Sequence, residues 1–496
     1  MLMKHFAGPA TLTALLLSST AVRAEITAEE VWTGIEAYYA DTGYAVTAES
    51  KEKQGDTLVV SGMSLSNEMP EVTATISFGE MRLKELGDGR VELTVAETIP
   101  MTVVTRPATG EAVETVITMT QSGLSVIVSG SAADTTYDFT APEMAMAMGG
   151  MSVDGAEVPL TLNMKATGNS GTMRMQSEGD RKVVQEMRTE KVDFSMSAED
   201  PEGKGRFSTS GSFAELEGSA NMLMPEGVDM KDMNAAIQAG WAVDGVFSFS
   251  GGGYVMDFAE GEETMHAEST IGTGSLLLDM SSSGLSYGVT GNDTKTSVQV
   301  SSFPLPIDLS VAQSAFNLTL PVTKSDDAQP FGMLMKFVDL EVSEGLWGIF
   351  DPAAQLPRDP ATVIVDLSGA AKMLVNILDP EEAETLGATP PGSLEALDLN
   401  ELKVSAVGAE LTGTGAVTFD NSAGMPKPLG AVDLQLIGGN GLIDKLVAMG
   451  FVPEDQAMGA RMMLGLFAVP SGEDTLTSKI EFKEDGGVYA NGQRVQ

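Results

Sequence analysis

The segment GLWGIFDPAAQLPRDPATV, residues 345–363, contains side chains that could carry out acid–base chemistry. Asp351 and Asp359 each precede a proline, and Arg358 lies between them in the chain. Two carboxylates that face one cleft can hydrolyse a substrate by acting as acid and base or as acid and nucleophile. One hypothesis is therefore a carboxylate-based hydrolase that uses Asp351 and Asp359.

The alternative for the same segment is a structural corner, and it is the favoured interpretation. Trp347 and Phe350 would anchor the loop by burial, and the prolines would bias Asp351 and Asp359 toward extended geometry. Arg358 would pair with one of the two aspartates. A corner predicts that the indole ring of Trp347 lies largely buried against a sheet.

The sequence lacks the residues that most other catalytic chemistries require. The chain has no cysteine, which excludes thiol catalysis, iron–sulfur clusters and thiolate zinc sites. A Ser-His-Asp triad would have to use His266, because the only other histidine is His5. His266 lies among polar residues in EETMHAEST and is expected to be solvent-exposed or structural. We therefore predict no catalytic, cofactor-binding or metal-ligating residue and no cofactor, and an enzyme is the less favoured class.

Methionine is unusually abundant, with 31 residues in the chain. In PEMAMAMGGM, residues 142–151, Met144, Met146 and Met148 alternate with other residues, so a strand would place all three on one face. They are either ordinary core or an adaptable apolar surface, since flexible thioether side chains conform to acyl chains or to varied partners. Both possibilities stay open at this point.

The N-terminal residues predict export of the protein. Lys4 is followed by an apolar stretch from Phe6 to Leu17 and by Val22-Arg23-Ala24, a pattern typical of a secretory signal peptide cleaved after Ala24. No later stretch reaches the roughly 18 consecutive apolar residues that a membrane helix requires, so no transmembrane segment is predicted. The expected location is the periplasm.

The formal net charge of the chain is −41. Such a charge repels nucleic acid and anionic membrane surfaces and favours solubility, so we predict no nucleic-acid partner. The oligomeric state stays open.

The elements that must position these residues are mostly strands. Apolar residues alternate with polar ones at Val72-Ala74-Ile76-Phe78 and at Phe316-Leu318-Leu320, which is the pattern of strands with one face on a core. Glycine-rich spacers such as Gly87-Asp88-Gly89 predict antiparallel hairpins. The predicted fold is mainly β, with a minor α component. It consists of extended curved antiparallel β-meander sheets with a few short helices packed on one face.

Four helices are predicted from capping and stripe patterns. Thr27 to Glu30 form a capping box ahead of an apolar stripe that ends near Gly43. The other predicted helices cover residues 229–240, 441–450 and 454–466. The predicted organisation is a signal peptide at 1–24, an N-terminal β-rich region at 25–225, a middle region at 226–325 and a C-terminal region at 326–496. Residues 25–496 could also form one continuous domain.

Five stretches of the sequence are distinctive as a set: the long stretch PVTKSDDAQPFGMLMKFVDLEVSEGLWGIFDPAAQLPRDPATVIVDLSG, the early stretches AEITAEEVWTGIEAYYADTGY and GDTLVVSGMSLS, and the late stretches GLIDKLVAMGFVPEDQ and GGVYANGQRV. Together they resemble the family called domain of unknown function 2125, which comprises exported proteins of Gram-negative bacteria. The resemblance implies an envelope protein without established activity and supplies no catalytic residue. A looser resemblance, in meander architecture only, is to AsmA-like envelope proteins, whose long curved sheets are associated with lipids.

Two functional hypotheses follow from the sequence. The first is a non-enzymatic periplasmic protein that binds an apolar ligand such as lipid, or another envelope protein, or serves envelope maintenance. Numerous one-faced strands and abundant methionine favour it. The second is the hydrolase that uses Asp351 and Asp359.

Overall fold

The computed structural model describes residues 25–68, 72–105, 113–153, 156–200, 205–228, 230, 232–379, 382, 386, 390–422 and 426–496. The predicted signal peptide, residues 1–24, lies outside the described residues.

The described residues form five helices joined by many strands. The helices are α1 Ala28–Asp41, α2 Met233–Gln238, α3 Glu344–Phe350, α4 Gly439–Ala448 and α5 Glu454–Phe467. The first strands are β1 Ala45–Thr47, β2 Ser50–Gln54, β3 Thr57–Glu68, β4 Val72–Glu85, β5 Val91–Val95, β6 Thr98–Thr105, β7 Val113–Ser122, β8 Ser125–Ser131, β9 Asp134–Val153 and β10 Ala156–Val158. The middle strands are β11 Leu160–Gln176, β12 Arg181–Glu199, β13 Gly205–Met224, β14 Ala242–Glu260, β15 Glu263–Ser281, β16 Gly284–Val300, β17 Ile307–Leu320 and β18 Gln329–Val342. The last strands are β19 Ala361–Met373, β20 Gly392–Ala406, β21 Ala409–Asp420, β22 Lys427–Ile437, β23 Val469–Gly472, β24 Thr475–Phe482, β25 Val488–Ala490 and β26 Gln493–Arg494.

These strands hydrogen-bond into one large antiparallel sheet, which confirms the predicted fold class. From β11 to β22 every two consecutive strands pair with each other. At the two ends of this run, β11 also pairs with β9 and β22 with β24. The pairs β13–β14 and β17–β18 carry this sheet across both of the boundaries expected near residues 225 and 325.

The main hydrophobic core lies at the N-terminal part of the sheet. Thr27 caps α1 as predicted, because its side chain accepts from the backbone N–H of Glu30 while the Glu30 carboxylate accepts from the backbone N–H of Thr27. The buried stripe of α1 includes Trp32, which is 2% exposed, and it joins one core with residues of β3, β4, β5 and β8. Helix α2 belongs to the same core through Ile237. Both helices therefore pack on one face of the sheet.

A line of irregular backbone runs across the strands near their middle, and we call it the crease. Five of its residues have positive φ angles: Gly168 in β11, Glu215 in β13, Gly251 in β14, Asp293 in β16 and Asp339 in β18. At Gly251, the pairing with β15 passes from Ser250–Thr273 to Gly252–Ile271, so Gly251 and Gly272 are both left out of the ladder and the register is unchanged. Each of these two strands therefore has one unpaired residue at the crease.

The crease shifts the phase of the side-chain alternation. Phe249 lies before Gly251, and its ring centroid is 4.6 Å from that of Phe213, which pairs with Gly252 beyond it. A Cβ atom added at Gly252 would lie 2.3 Å from the Phe213 ring. Residues 249 and 252 therefore share a face although they are an odd number of positions apart. The same face continues across the crease.

The helices agree with the sequence predictions except for α3. Helices α2, α4 and α5 fall within or close to the predicted ranges, although residues 229 and 231 lie outside the described part. Helix α3 was not among the four predicted helices and lies in the segment for which the sequence favoured a structural corner.

Candidate apolar binding face

Apolar side chains from neighbouring strands meet on one face of the sheet, which we call the apolar face. Residues opposite each other in an antiparallel pair share a face. The pairs Leu276–Val289 and Val289–Phe316 therefore place these three side chains in one row. Across β15 to β18 the seven most open members of the face are each 38–41% exposed: Leu276, Leu278, Tyr287, Val289, Phe316, Leu320 and Phe337.

The opposite face, called the polar face, carries the charges. The strand register places most charged side chains of β14 to β18 on the polar face. This applies to those outside the β14–β15 turn and the crease. The residues are Asp244, Asp257, His266, Glu268, Asp279, Lys295, Asp308, Lys336 and Glu341. The separation is incomplete, because Leu277 and its partner Val246 also lie on the polar face. The apolar face of these strands thus offers wide hydrophobic contact away from charge.

The predicted methionine surface lies on the apolar face. Met146 of β9 pairs with Met119 of β7 on one side and with Met164 of β11 on the other. Met144 and Met148 are the next residues on the same face of β9, and all three are half-buried. The structure therefore brings thioether side chains from three strands into one row.

Asp351 is fully buried, at 0% exposure, and its carboxylate is bonded to its own loop. One oxygen accepts from the backbone N–H of Gln355 and the other from that of Leu356, both at 2.9 Å. The Asp351 backbone N–H donates to the carbonyl of Trp347 at 2.8 Å and ends α3. The carboxylate therefore holds a turn after the helix.

The other residues of this segment surround the turn. Asp359 is exposed, whereas Asp351 is buried. Arg358 forms an ion pair with Glu344, in place of the expected partner Asp351 or Asp359, and its Nη2 donates to the Asp351 carbonyl at 3.2 Å. Its guanidinium lies 5.6 Å from the centroid of the Trp347 ring.

The aromatic pair of this segment is partly buried. The Trp347 and Phe350 rings lie 4.7 Å apart, and both side chains are half-buried. Neither of them is fully buried, since α3 has no buried residue of its own.

His266 lies on the polar face, where its side chain is 44% exposed. Nδ1 is 2.8 Å from an oxygen of Asp257, and Nε2 is 3.2 Å from an oxygen of Glu268. These hydrogen bonds, that to Asp257 foremost, raise the pKa of His266 above its ordinary 6.5. The ring therefore stays protonated to higher pH than a free histidine.

We expect His266→Gln to reduce stability in a pH-dependent manner. Because the folded-state pKa is raised, the two ion pairs stabilise the fold fully below the unfolded pKa of about 6.5. That contribution is lost as the pH rises through the folded-state pKa. Melting temperatures of the parent and the variant should differ at about pH 5.5 and converge at about pH 9. An equal difference at both pH values would contradict this assignment.

Most residues of the apolar face that lie in strands other than β17 were not predicted from the sequence. The sequences of β14 and β15 do show alternating apolar residues. The alternation changes phase at the crease, however, so it does not look like one continuous face. In β14, Phe247 and Phe249 precede the glycine run, and Tyr254 and Met256 follow it one position out of phase. Such a phase change between two clear runs of alternation is the signal that would have revealed one continuous face.

In the described part of the chain, no group of three or more histidine, aspartate or glutamate side chains is arranged to hold a metal ion. Each helix described here is also too short or too polar to cross a membrane.

Comparison with known proteins identifies a family for the C-terminal half. Residues 258–495 match the family described as uncharacterized protein conserved in bacteria, DUF2125. The match includes the stretch at 321–369 and the late stretches quoted above, whereas the early stretches precede it. No curated protein matches the chain, and neither does any solved structure. Residues 258–495 of this chain therefore belong to the DUF2125 family of uncharacterized bacterial proteins.

Proposed function

We propose that this protein is a non-enzymatic periplasmic protein that holds the acyl chains of lipids against its apolar face and serves envelope maintenance. The observation that carries the proposal is the row of large apolar side chains, 38–41% exposed, on a face from which charges are excluded. Exposed apolar patches larger than a few hundred Å² mark interaction sites on soluble proteins. The composition of residues 1–24 supports the periplasmic location.

Acyl chains suit this face better than a peptide does. Phe316 and Val289 belong to inner strands whose backbone groups are already paired on both sides. The face therefore offers contact without free backbone donors or acceptors, which an extended peptide would need for specific recognition. Hydrocarbon chains require only non-directional contact. Flexible thioethers, as at Met146, adapt to chains of different shape.

The size of the expected effect follows from hydrocarbon transfer. Burial of a methylene contributes about 0.8 kcal/mol, so half-burial of ten methylenes on an open face gives about 4 kcal/mol. This corresponds to a dissociation constant on the order of 1 mM for one short contact. Tighter binding requires a longer chain or several chains, and the many strands of the face provide room for both.

A neutral fluorescent ligand tests the proposal directly. We expect the methyl ester of pyrenedodecanoic acid to bind the purified protein saturably and to be displaced by extracted lipids. Phe316→Glu places a carboxylate in the middle of the apolar face and should weaken binding about tenfold, since burial of an unpaired charge is strongly unfavourable. Fluorescence titration measures both effects.

The matched control is Asn317→Glu. Asn317 is the next residue of β17, is exposed and points to the polar face, so the same added charge should leave binding unchanged. Equal weakening by both variants would show that the probe responds to net charge alone. Absence of saturable binding to the parent protein, with no lipid found by native mass spectrometry after purification from its own host, would reject the proposal.

A further inference from the structure

The C-terminal helix α5 carries the most exposed large apolar side chains among the described residues. Met458, Met462, Met463 and Leu466, which we call the Met stripe, are 51–70% exposed. Phe451, in the short link between α4 and α5, is also open to solvent, at 53%. These side chains are far more open than those of the apolar face, and no strand of that face contains them.

After its first turn, in which Asp455 lies on the outer side, helix α5 is apolar on two opposite sides. Ala457 is its buried residue, and Leu464 lies on the same side of the helix and is half-buried. At 100° per residue, Met458, Met462 and Leu466 project from the side opposite to this packed one. A helix on the surface of a soluble protein usually has one apolar stripe toward the core and polar residues on its solvent side. Helix α5 has large apolar side chains on its solvent side as well. The Met stripe is therefore an apolar surface that the described part of the chain leaves open.

The hairpin of α4 and α5 is held in a fixed position at the end of the sheet. The Asp474 carboxylate accepts from the backbone N–H groups of Asn440 at 3.1 Å and Gly441 at 2.8 Å, at the start of α4. Arg461 of α5 forms an ion pair with Asp444 of α4. These contacts fix the side of α5 that faces solvent.

The charge of the hairpin distinguishes it from the rest of the molecule. Residues 439–468 carry two basic and three acidic side chains, a net charge of −1, whereas the whole chain has −41. A lipid surface is therefore repelled less by this hairpin than by most of the molecule.

The size of the stripe argues against a stable protein interface. A helix of 14 residues is about 21 Å long, and a stripe about 10 Å wide covers roughly 200 Å². Stable protein–protein interfaces bury about 800 Å² per partner. Amphipathic helices, in contrast, insert a narrow apolar side into the boundary between head groups and acyl chains.

From the area, the charge and the opposed apolar sides, we infer that the Met stripe docks the protein reversibly on the surface of a lipid bilayer. Met462 and its neighbours enter the interfacial region, and the sheet stays in water. Flexible thioether side chains suit a fluid partner.

Flotation with phosphatidylcholine vesicles tests this inference. These vesicles carry no net charge, so binding to them reports apolar insertion. We expect the parent protein to float with the vesicles and Met462→Glu to reduce the bound fraction at least fivefold, because a carboxylate must then enter the interface. The matched control is Ala460→Glu, which adds the same charge at an exposed position of α5 that lies about 160° around the helix from Met462, and it should float like the parent.

Tryptophan fluorescence provides a second measurement, which detects insertion into the bilayer directly. Met462→Trp adds an indole to the three natural tryptophans, and its emission should shift to shorter wavelength when vesicles are added. Met462 is 70% exposed, so neither substitution should change the melting temperature. Binding of the pyrene ester without vesicles should also stay unchanged in Met462→Glu, which separates this inference from the proposed function.

Three results would overturn the inference. The first is that the parent protein does not float, and the second is that Met462→Glu floats as well as Ala460→Glu does. The third is concentration-dependent self-association without flotation that Met462→Glu abolishes, which would assign the stripe to a second copy of the chain.

Discussion

Replacing Asp351 with alanine is expected to lower the stability of the fold around α3 by about 4 kcal/mol. The change removes two hydrogen bonds to a charged acceptor, each worth about 1.5–3 kcal/mol. It also leaves the backbone N–H groups of Gln355 and Leu356 without their partner in a site where Asp351 is 0% exposed. Amide hydrogen exchange at these two residues should accelerate by about a thousandfold if they open locally, since each 1.4 kcal/mol is a factor of ten.

Asp359→Ala is the matched control for this change. Asp359 belongs to the same segment and also precedes a proline, but its side chain is exposed. We expect it to alter stability by less than about 0.5 kcal/mol, as is usual for surface substitutions. If both variants melt and exchange like the parent, the Asp351 carboxylate has no structural role. A hydrolytic activity lost in both would restore the carboxylate hypothesis.

Trp32→Ala is the second change with a large expected effect. Trp32 is 2% exposed and joins α1 to the core shared with β3, β4, β5 and β8. Truncation of a buried aromatic costs about 3–5 kcal/mol through lost burial and the cavity left behind. Thermal and denaturant unfolding should both show this loss.

Trp347→Ala is the comparison for Trp32→Ala. The same atoms are removed, but Trp347 is only half-buried and packs mainly on Phe350 and Arg358. We expect a loss of about 2 kcal/mol, since less apolar area returns to water. A loss as large as that of Trp32→Ala would mean that α3 is bound to the sheet more tightly than its exposure indicates.

Local patterns were sufficient to predict the fold class and the described helices other than α3. The capping box at Thr27 specifies the start of α1, because both of its hydrogen bonds are made within four residues. Alternation at Phe316-Leu318-Leu320 specifies a one-faced strand because side chains on a strand alternate between its faces. These signals depend only on neighbouring residues, so they can be recognised without knowledge of the rest of the chain.

The candidate sites depended on contacts that the sequence does not encode locally. Arg358 lies between Asp351 and Asp359 in the chain, yet its ion pair is with Glu344, across the length of α3. The apolar face is assembled from strands whose register decides which residues meet, and the crease changes the phase of the side-chain alternation along strands such as β14. The Met stripe was part of a predicted helix, but only the packing of Ala457 showed which side faces solvent.

The neighbour-by-neighbour pairing of β11 to β22 also has a consequence for how this architecture could change in size. Strands in a sheet are about 4.8 Å apart, so gain or loss of one hairpin changes the width of the apolar face by about 10 Å. After such a change, the strands on either side would pair in the same antiparallel way, provided that any added strand also has the extra residue at the crease. Tandem duplication of hairpins could therefore tune capacity for ligand in fixed steps while both ends of the molecule keep their helices.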